Sequence, residues 1–439
     1  MTEYLQSRPL LRISILMIAG IAVGGMADTP SAFVDGALLL KVSGIAVVLL
    51  AFAIVLLRRH ELLTSVLTTL MAFLFGVFLI TNSKTQSTTT LYSSHASHNS
   101  TIQQSSTIAE WMEQQREKLS KTYRQQGITG DEYAVVAAMT LGEKQRVSRE
   151  LKEVYSKSGA AHVFALSGLH MGILFMLLSF ILPTKRFPKV CIVVELIALW
   201  MFVMLVGMHA SVVRAAVMLS IYSVCRMLSR HTDNVSVLVL TATLLLLVCP
   251  QWLFDIGFQM SFLAVLSIVV LAVLLIQQLP MLEYGDALPR RLCRFALQYV
   301  YGVVIVSMVA QLGVAPLIAH YFGRASTYFL LTNIVVSPLA FFIIALALLL
   351  FIVLSAATLL GMPAVLSYII KGVAWLLSTV TSYLNEYLSW IASLPYASIE
   401  GIRLNTPQTF LVYLLICSIL LLLHLLTRKR SMFDMKNYS

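Results

Sequence analysis

The chain reads as an all-α integral membrane protein with about twelve transmembrane helices and an extracytoplasmic segment that is helical and amphipathic. Three observations predict this. Of the 439 residues, 59% are hydrophobic and only 12% charged, and the mean hydropathy is +0.85, more apolar than a water-soluble core can conceal. The apolar residues come in runs of about 20, the length at which a helix crosses a bilayer with its backbone satisfied. Lys and Arg gather in alternate gaps between those runs, as short cytoplasmic loops require.

In the first half the runs occupy 10–27, 37–57, 62–81, 163–182, 190–206 and 211–228. In the second they occupy 235–249, 256–276, 298–319, 328–354, 363–380 and 409–426. The first lacks a small-residue cleavage site and is followed at once by another, so it reads as a membrane helix rather than a signal peptide. The run before Pro250 is short and could pair with the next as a broken or re-entrant element. The run from 328 exceeds one span, which predicts a bent or half-inserted part before Pro338.

The net charge of +11 follows from the basic loops of a multispanning protein and does not by itself indicate nucleic acid. Placing Arg8 and Arg12 in the cytoplasm puts Arg58, Arg59, Lys185, Arg186, Lys189, Arg226, Arg230, Arg290, Arg291, Arg294, Arg428, Lys429 and Arg430 there too. Both termini are then cytoplasmic, and the opposite short loops hold only Arg324 and Arg403. The membrane is a bacterial cytoplasmic membrane. The five cysteines are scattered without C-x-x-C spacing and read as buried apolar residues, so no metal site and no cofactor is expected.

These features divide the chain into a three-helix membrane segment (1–81), an extracytoplasmic segment (82–162), a membrane core (163–354) and C-terminal helices with a short cytoplasmic tail (355–439). The outer segment opens with a Ser/Thr-rich tract whose composition predicts no fixed structure. Its His95 and His98 lack the partners of a metal site. Ile108, Trp111, Met112, Leu119 and Tyr123 then share one helical face, the pattern of a helix lying in the membrane interface. A second helix is expected from Thr129, capped through Glu132, to near Gly142, and a third from Ser148 to Lys157.

Strongly polar side chains inside a membrane cost several kcal/mol unless paired or hydrated, so they are functional candidates. On the derived topology His170 lies about 10 Å below the outer face, at 1.5 Å per residue along its span. Arg214, Asp255, Gln259, Gln311 and Asn333 fall in the outer half as well. The expectation is a water-accessible site open to the outside, with Arg214 and Asp255 as a neutralising pair. The bland alternatives are interhelical hydrogen bonding for the amides, snorkelling for Arg214 and plain packing for His170. Ser167, Gly168 and Gly172 would let neighbouring helices come close or the helix start open, while Pro316 and Pro338 free carbonyls that could line a cavity.

The strings "MTLGEKQRVSRELKEVYSKSGAAHVFALSGLHMGILF", "HASVVRAAVMLSIYSV", "CPQWLFDIGFQMSFLAVLSI", "VAQLGVAPLIAHYFGRAS" and "TNIVVSPLAF" occur in this order. Together they resemble the ComEC-type competence proteins, the inner-membrane channels for DNA uptake in naturally transformable bacteria. The resemblance covers roughly residues 111–342 and rests on the Ser-Gly-Leu-His, Phe-Asp-x-Gly-Phe-Gln and Gln-Leu-x-x-x-Pro-Leu patterns. It implies that one strand of incoming DNA crosses here while the other is degraded outside. The residues of the path would be Ser167, Gly168, His170, Arg214, Asp255, Gln259, Gln311, Pro316, Arg324 and Asn333. An electropositive approach from Arg214, Arg324, His170, His209 and His320 is compatible with a polyanion.

Family members also carry an OB-type domain and often a metallo-β-lactamase-like domain. Here the segment before Trp111 is too short for an OB barrel, and no His-x-His-x-Asp-His string is present. This form is therefore expected to be a truncated one and not an enzyme. Its partners would be single-stranded DNA, the lipid membrane and separate DNA-receptor, nuclease and cytoplasmic translocation proteins; the oligomeric state stays open. Two other readings compete: a secondary transporter of a small anionic solute, with Arg214 as binder and His170 or Asp255 exchanging protons, and a membrane enzyme built on Ser167 and His170. No internal repeat supports the first, and no orienting partner the second.

Overall fold

The computed structural model describes residues 9–26, 36–56, 61–94, 103–164, 166–183, 186–228, 233–272, 275, 288–360 and 363–436. Arg8, Arg58, Arg59, His95, His98, Lys185 and Arg230 lie outside them.

The chain opens with three helices, α1 (Pro9–Met26), α2 (Gly36–Leu56) and α3 (Glu61–Ser94). Glycine brings α1 and α3 to backbone contact. A Cβ on Gly20 would fall on the Phe73 carbonyl, and one on Gly76 on the Met17 carbonyl. In a bilayer, where lipid and Leu are equally apolar, close backbone approach of this kind is what associates helices. The sequence reading missed the pair. It also expected the Ser/Thr tract to lack structure, whereas α3 carries on through it to Ser94. The cause is that no Gly or Pro occurs between Val77 and Gln126, so nothing stops the helix.

Three further helices follow, α4 (Gln103–Gln125), α5 (Gly130–Leu141) and α6 (Arg149–Lys157), the last two joined by a 3₁₀ turn at Lys144–Arg146. Gly142 ends α5 in the left-handed region at φ 76°, and Ser148 caps α6 by accepting the Leu151 amide at 3.1 Å. Thr129 holds the N-cap position of α5 but makes no side-chain cap bond.

These helices do not lie loose in the membrane interface, as α4 was expected to do. Every residue of α5 from Tyr133 to Leu141 is buried. The Leu119 and Tyr123 face of α4 packs into the same core, and the Tyr123 ring stands 5.1 Å from that of Phe351. That core is completed by two long helices, α13 (Phe329–Leu359) and α14 (Pro363–Ser393). The apolar face read from the sequence is real, but it meets protein rather than lipid; periodicity gives the face and not its partner. Trp111 alone of its described members stays exposed; the side chain of Ile108 is outside the described set.

Between these parts run α7 (Gly168–Ile181), α8 (Pro188–Val206), α9 (Ala210–Met227), α10 (Asn234–Val248), α11 (Ile256–Ser267) and α12 (Leu288–Phe322). The break at Pro250 is a 3₁₀ turn, Pro250–Phe254, and α11 relaxes into a π turn at Ile268–Ala272. The α7–α9 unit has its own core around Leu199, Val203, Val212 and Ala216. Another core joins α1 and α3 to α10 and α11 through Met17, Ile21, Ile80, Leu246 and Phe258. A last helix, α15 (Thr406–Lys436), packs on α12, where the Tyr413 hydroxyl donates to the Gly313 carbonyl at 2.8 Å.

Two loops are tied by a two-stranded antiparallel pair that the sequence reading did not foresee: β1 (Arg324–Ser326) and β2 (Ser398–Glu400), with Arg324 opposite Glu400.

Among the described residues five stretches are long and apolar enough to cross a membrane: Ser65–Ser83, Pro188–Val206, Ala210–Met227, Ala296–Phe322 and Phe329–Leu359. Six shorter apolar helices coincide with other expected spans. The run expected at 363–380 forms the first part of α14, whose exposed side mixes Lys371, Thr379 and Glu386 with Tyr368 and Trp375. The chain is thus an all-α, multi-pass membrane protein. Helix α13 runs unbroken through Pro338. Proline removes the bond to the carbonyl four residues back. The Tyr299 hydroxyl takes up that carbonyl, on Ile334, at 3.4 Å.

Candidate functional site

Ser167, His170 and Asp255 are held at helix starts. The helix containing His170 was expected to begin at Val163. It begins at Gly168 instead, after a 3₁₀ turn at Ala161–Val163. His170 therefore sits in the first turn of α7 rather than along a continuous span. Ser167 holds the N-cap position, and Ser and Gly at this junction favour a helix start over helix interior. The His170 Nδ1 receives the Ser167 amide at 3.3 Å and lies 3.0 Å from the Ser167 hydroxyl. With Nδ1 accepting, the proton belongs on Nε2, which is buried and has no partner. Gly168 faces α9 at Ala215, 3.9 Å from where its Cβ would stand.

One residue away on α9, Arg214 points to another neighbour. It is 5% exposed and donates through Nη2 to the Gly257 carbonyl at 2.8 Å. Its Nη1 stands 3.8 Å from Asp255 Oδ1, and its guanidinium carbon lies 5.8 Å from the centre of the Phe258 ring. The expected pair is thus in place, as a loose ion pair rather than a hydrogen bond, and Arg214 Nε and Nη1 remain without hydrogen-bond partners. Asp255 is held by its own task, capping α11 through the Phe258 amide at 2.7 Å. Gln259, one turn on, donates to the Leu253 carbonyl at 2.9 Å and accepts from the Tyr321 hydroxyl at 3.3 Å. Both ends of that amide are engaged in bracing.

The remaining candidates are dispersed. Gln311 is half-buried and Pro316 buried within α12. Asn333 donates to Ser307 at 3.1 Å but leaves its Oδ1 buried and unpartnered. Arg324 reaches Ser156 at 3.1 Å, so it clamps β1 onto α6. His320 is tied through Nδ1 to the Leu404 carbonyl at 2.7 Å. The structure therefore makes two clusters on adjoining sides of α9, Ser167–His170 and Arg214–Asp255–Gln259, and leaves Gln311, Pro316, Arg324 and Asn333 apart from both.

Sequence reasoning missed Glu195. It is fully buried in α8, accepts from the Ser179 hydroxyl at 2.7 Å, and leaves its second oxygen unpartnered. A lone carboxylate in the apolar 19 residues of α8 was the available signal. On the expected topology it would lie toward the cytoplasmic end of its span.

Comparison with known proteins decides the relationship. A family model described as "Competence protein" matches residues 139–427, most of the chain and all of the geometry above. The chain belongs to the competence protein family. Among curated relatives of this competence chain, ComE operon protein 3 of Bacillus subtilis (strain 168) is 31% identical over 209 residues, 47% of this chain and 25% of the relative. An uncharacterized protein of Aquifex aeolicus (strain VF5) is 32% identical over 231 residues, 52% of this chain and 49% of the relative. The competence chain thus spans about a quarter and about half of these two relatives. No solved structure matches.

Proposed function

We propose that this competence-family chain forms a conduit through which single-stranded DNA enters the cell during natural transformation. Arg214 carries the reading. A guanidinium removed from water with two nitrogens lacking hydrogen-bond acceptors is a costly arrangement, and an anion that accepts from them relieves the cost. On this reading Ser167, Gly168, His170, Arg214, Asp255, Gln259, Gln311, Pro316, Arg324 and Asn333 line or brace the path. The chain sits in the bacterial cytoplasmic membrane with about twelve spans and both termini inside. On this reading DNA receptor, nuclease and motor are separate proteins.

Fluorescent DNA supplied to cells lacking the gene should stay outside the cytoplasm, and the wild-type gene should restore internalisation. Unchanged internalisation and transformation in the deletion strain would overturn the reading. A transporter of a small anionic solute would use the same Arg214, and the buried Glu195 supplies the acid such an exchange needs; the same deletion experiment, with DNA uptake intact, would favour it. For the topology, a Ser94→Cys variant of a chain whose five native cysteines are replaced should react with an impermeant thiol reagent from outside the cell. Protection at that position means the orientation is reversed.

A further inference from the structure

Glu195 is a buried acid that the path described above does not use. The buried side of α8 is a stripe of Cys191, Ile192, Glu195, Leu199, Val203 and Val206, the spacing of one helix face. Its exposed side carries Val190, Val193, Val194, Ile197 and Met201. The single acid of α8 therefore stands on the apolar seam that faces protein. Its Oε1 accepts the Ser179 hydroxyl of α7 at 2.7 Å, while Oε2 is buried without a partner.

Among the described residues no ion pair includes Glu195. On α7 the titratable group is His170, nine residues before Ser179 and about 13 Å away along the helix. Helix α9 offers Arg214, committed to Gly257 and Asp255, then the exposed Tyr222 and Arg226 and the half-buried Cys225. Helix α4 sends Arg116 to the Val206 carbonyl, 11 residues farther along α8. On α8 itself Lys189 is exposed, and Cys191, one turn before Glu195, brings no positive charge.

An ionised carboxylate at this position would be sealed from water with one oxygen empty and no counter-charge, a state that costs several kcal/mol. One carboxyl and one hydroxyl are too few oxygens to replace the water shell of a metal cation, and no cluster of three metal-binding side chains occurs among the described residues. A proton fits the site. Bound to Oε2, it cancels the charge and leaves the Ser179 bond to Oε1 in place.

We infer that Glu195 is a proton-exchange site. A proton from water bonds to Oε2, and the neutral acid is sealed where Ser179 holds α7 on α8. When the two helices part, the O–H bond breaks, the proton returns to water and the carboxylate is left hydrated. A proton gradient across the membrane then acts on α7, the helix whose first turn holds His170. That this motion serves DNA rests on the function proposed above; the proton site itself does not.

The test treats the full chain, purified in a maltoside detergent, with dicyclohexylcarbodiimide, an apolar reagent that reaches buried carboxyls. A protonated carboxyl adds across its C=N bond, and the O-acylisourea so formed rearranges to a stable N-acylurea that peptide mass spectrometry reads. Glu195 should be labelled, and the label should fall as the pH is raised. No label at neutral or mildly acid pH, or equal label at every pH, would overturn the site.

Glu195→Gln keeps the shape and the acceptor for Ser179 but has no proton to exchange. It should accumulate in the membrane as the wild type does and lower DNA internalisation roughly 10-fold, a coupling of ordinary size. Glu195→Asp, still an acid, should retain most of the activity. Wild-type internalisation in Glu195→Gln would show that the carboxyl is a packing group and overturn the coupling. If deletion of the gene leaves internalisation intact while Glu195 labels with the expected pH dependence, the proton site stands and the DNA reading fails.

Discussion

Replacing Arg214 with alanine should cut DNA internalisation by roughly 100-fold, the effect of losing charge-assisted hydrogen bonds worth about 3 kcal/mol to a passing phosphate. Stability should move far less. The variant gives up one bond to the Gly257 carbonyl, about 1–2 kcal/mol, and Asp255, whose side chain is 49% exposed, stays hydrated and keeps its capping bond. The reverse substitution inverts the balance. Asp255→Ala strands a guanidinium that is 5% exposed and uncaps α11, which together cost about 2–4 kcal/mol. Thermal unfolding in detergent, set beside transformation frequency, separates the two. A structural role alone for Arg214 predicts the same ordering in both measurements, with Asp255→Ala the worse variant in each.

Gly76→Ala should abolish accumulation of the protein in the membrane. The added methyl would land on a backbone carbonyl, that of Met17, and no side-chain rotation can move a backbone atom out of its way. The α1–α3 crossing must then widen, breaking the shared core that runs on to Leu246 and Phe258. Gly20→Ala, which meets the Phe73 carbonyl, should do the same. Gly172→Ala and Gly302→Ala add the same atom where nothing stands within 4 Å, and both should accumulate at wild-type levels. Immunoblotting of membrane fractions reads the outcome, and normal amounts of Gly76→Ala would show that the helices are not in contact there.

How much of this was legible depended on whether a feature is local in the chain. The apolar runs, the Pro250 break, the Ser148 cap and the stop at Gly142 are set by residues within a few positions, and the sequence carried them. The Arg214–Asp255 pair was legible for another reason: two ionised groups in apolar surroundings need each other, so depth and sign suffice to match them. What stayed hidden depends on distant chain segments. Nothing in "GDEYAVVAAMTL" says that α5 will be wrapped by α13 and α14, because a core helix and an interfacial one share the same composition. The β1–β2 pairing joins three-residue strands far apart in sequence, below any periodic signal. The α7 start was misplaced because hydropathy continued through 163–167 while the Ser167–His170 bonding, a polar matter, set the boundary.

The brevity of α7 bears on how the bilayer meets this protein. Fourteen residues rise about 21 Å, against about 30 Å of hydrocarbon. Helix α10, of 15 residues, is scarcely longer. Phe180 and Val248, near the ends of these two helices, are 89% and 83% exposed, so lipid rather than protein must accommodate the difference. Mismatch of this size thins the surrounding leaflets and draws headgroups and water inward. A chain of phosphates crossing beside such helices would shed its hydration over about two-thirds of the usual distance. On the proposed function, the barrier that makes membranes impermeable to polyelectrolytes would be lowered there by geometry, before any charged side chain contributes.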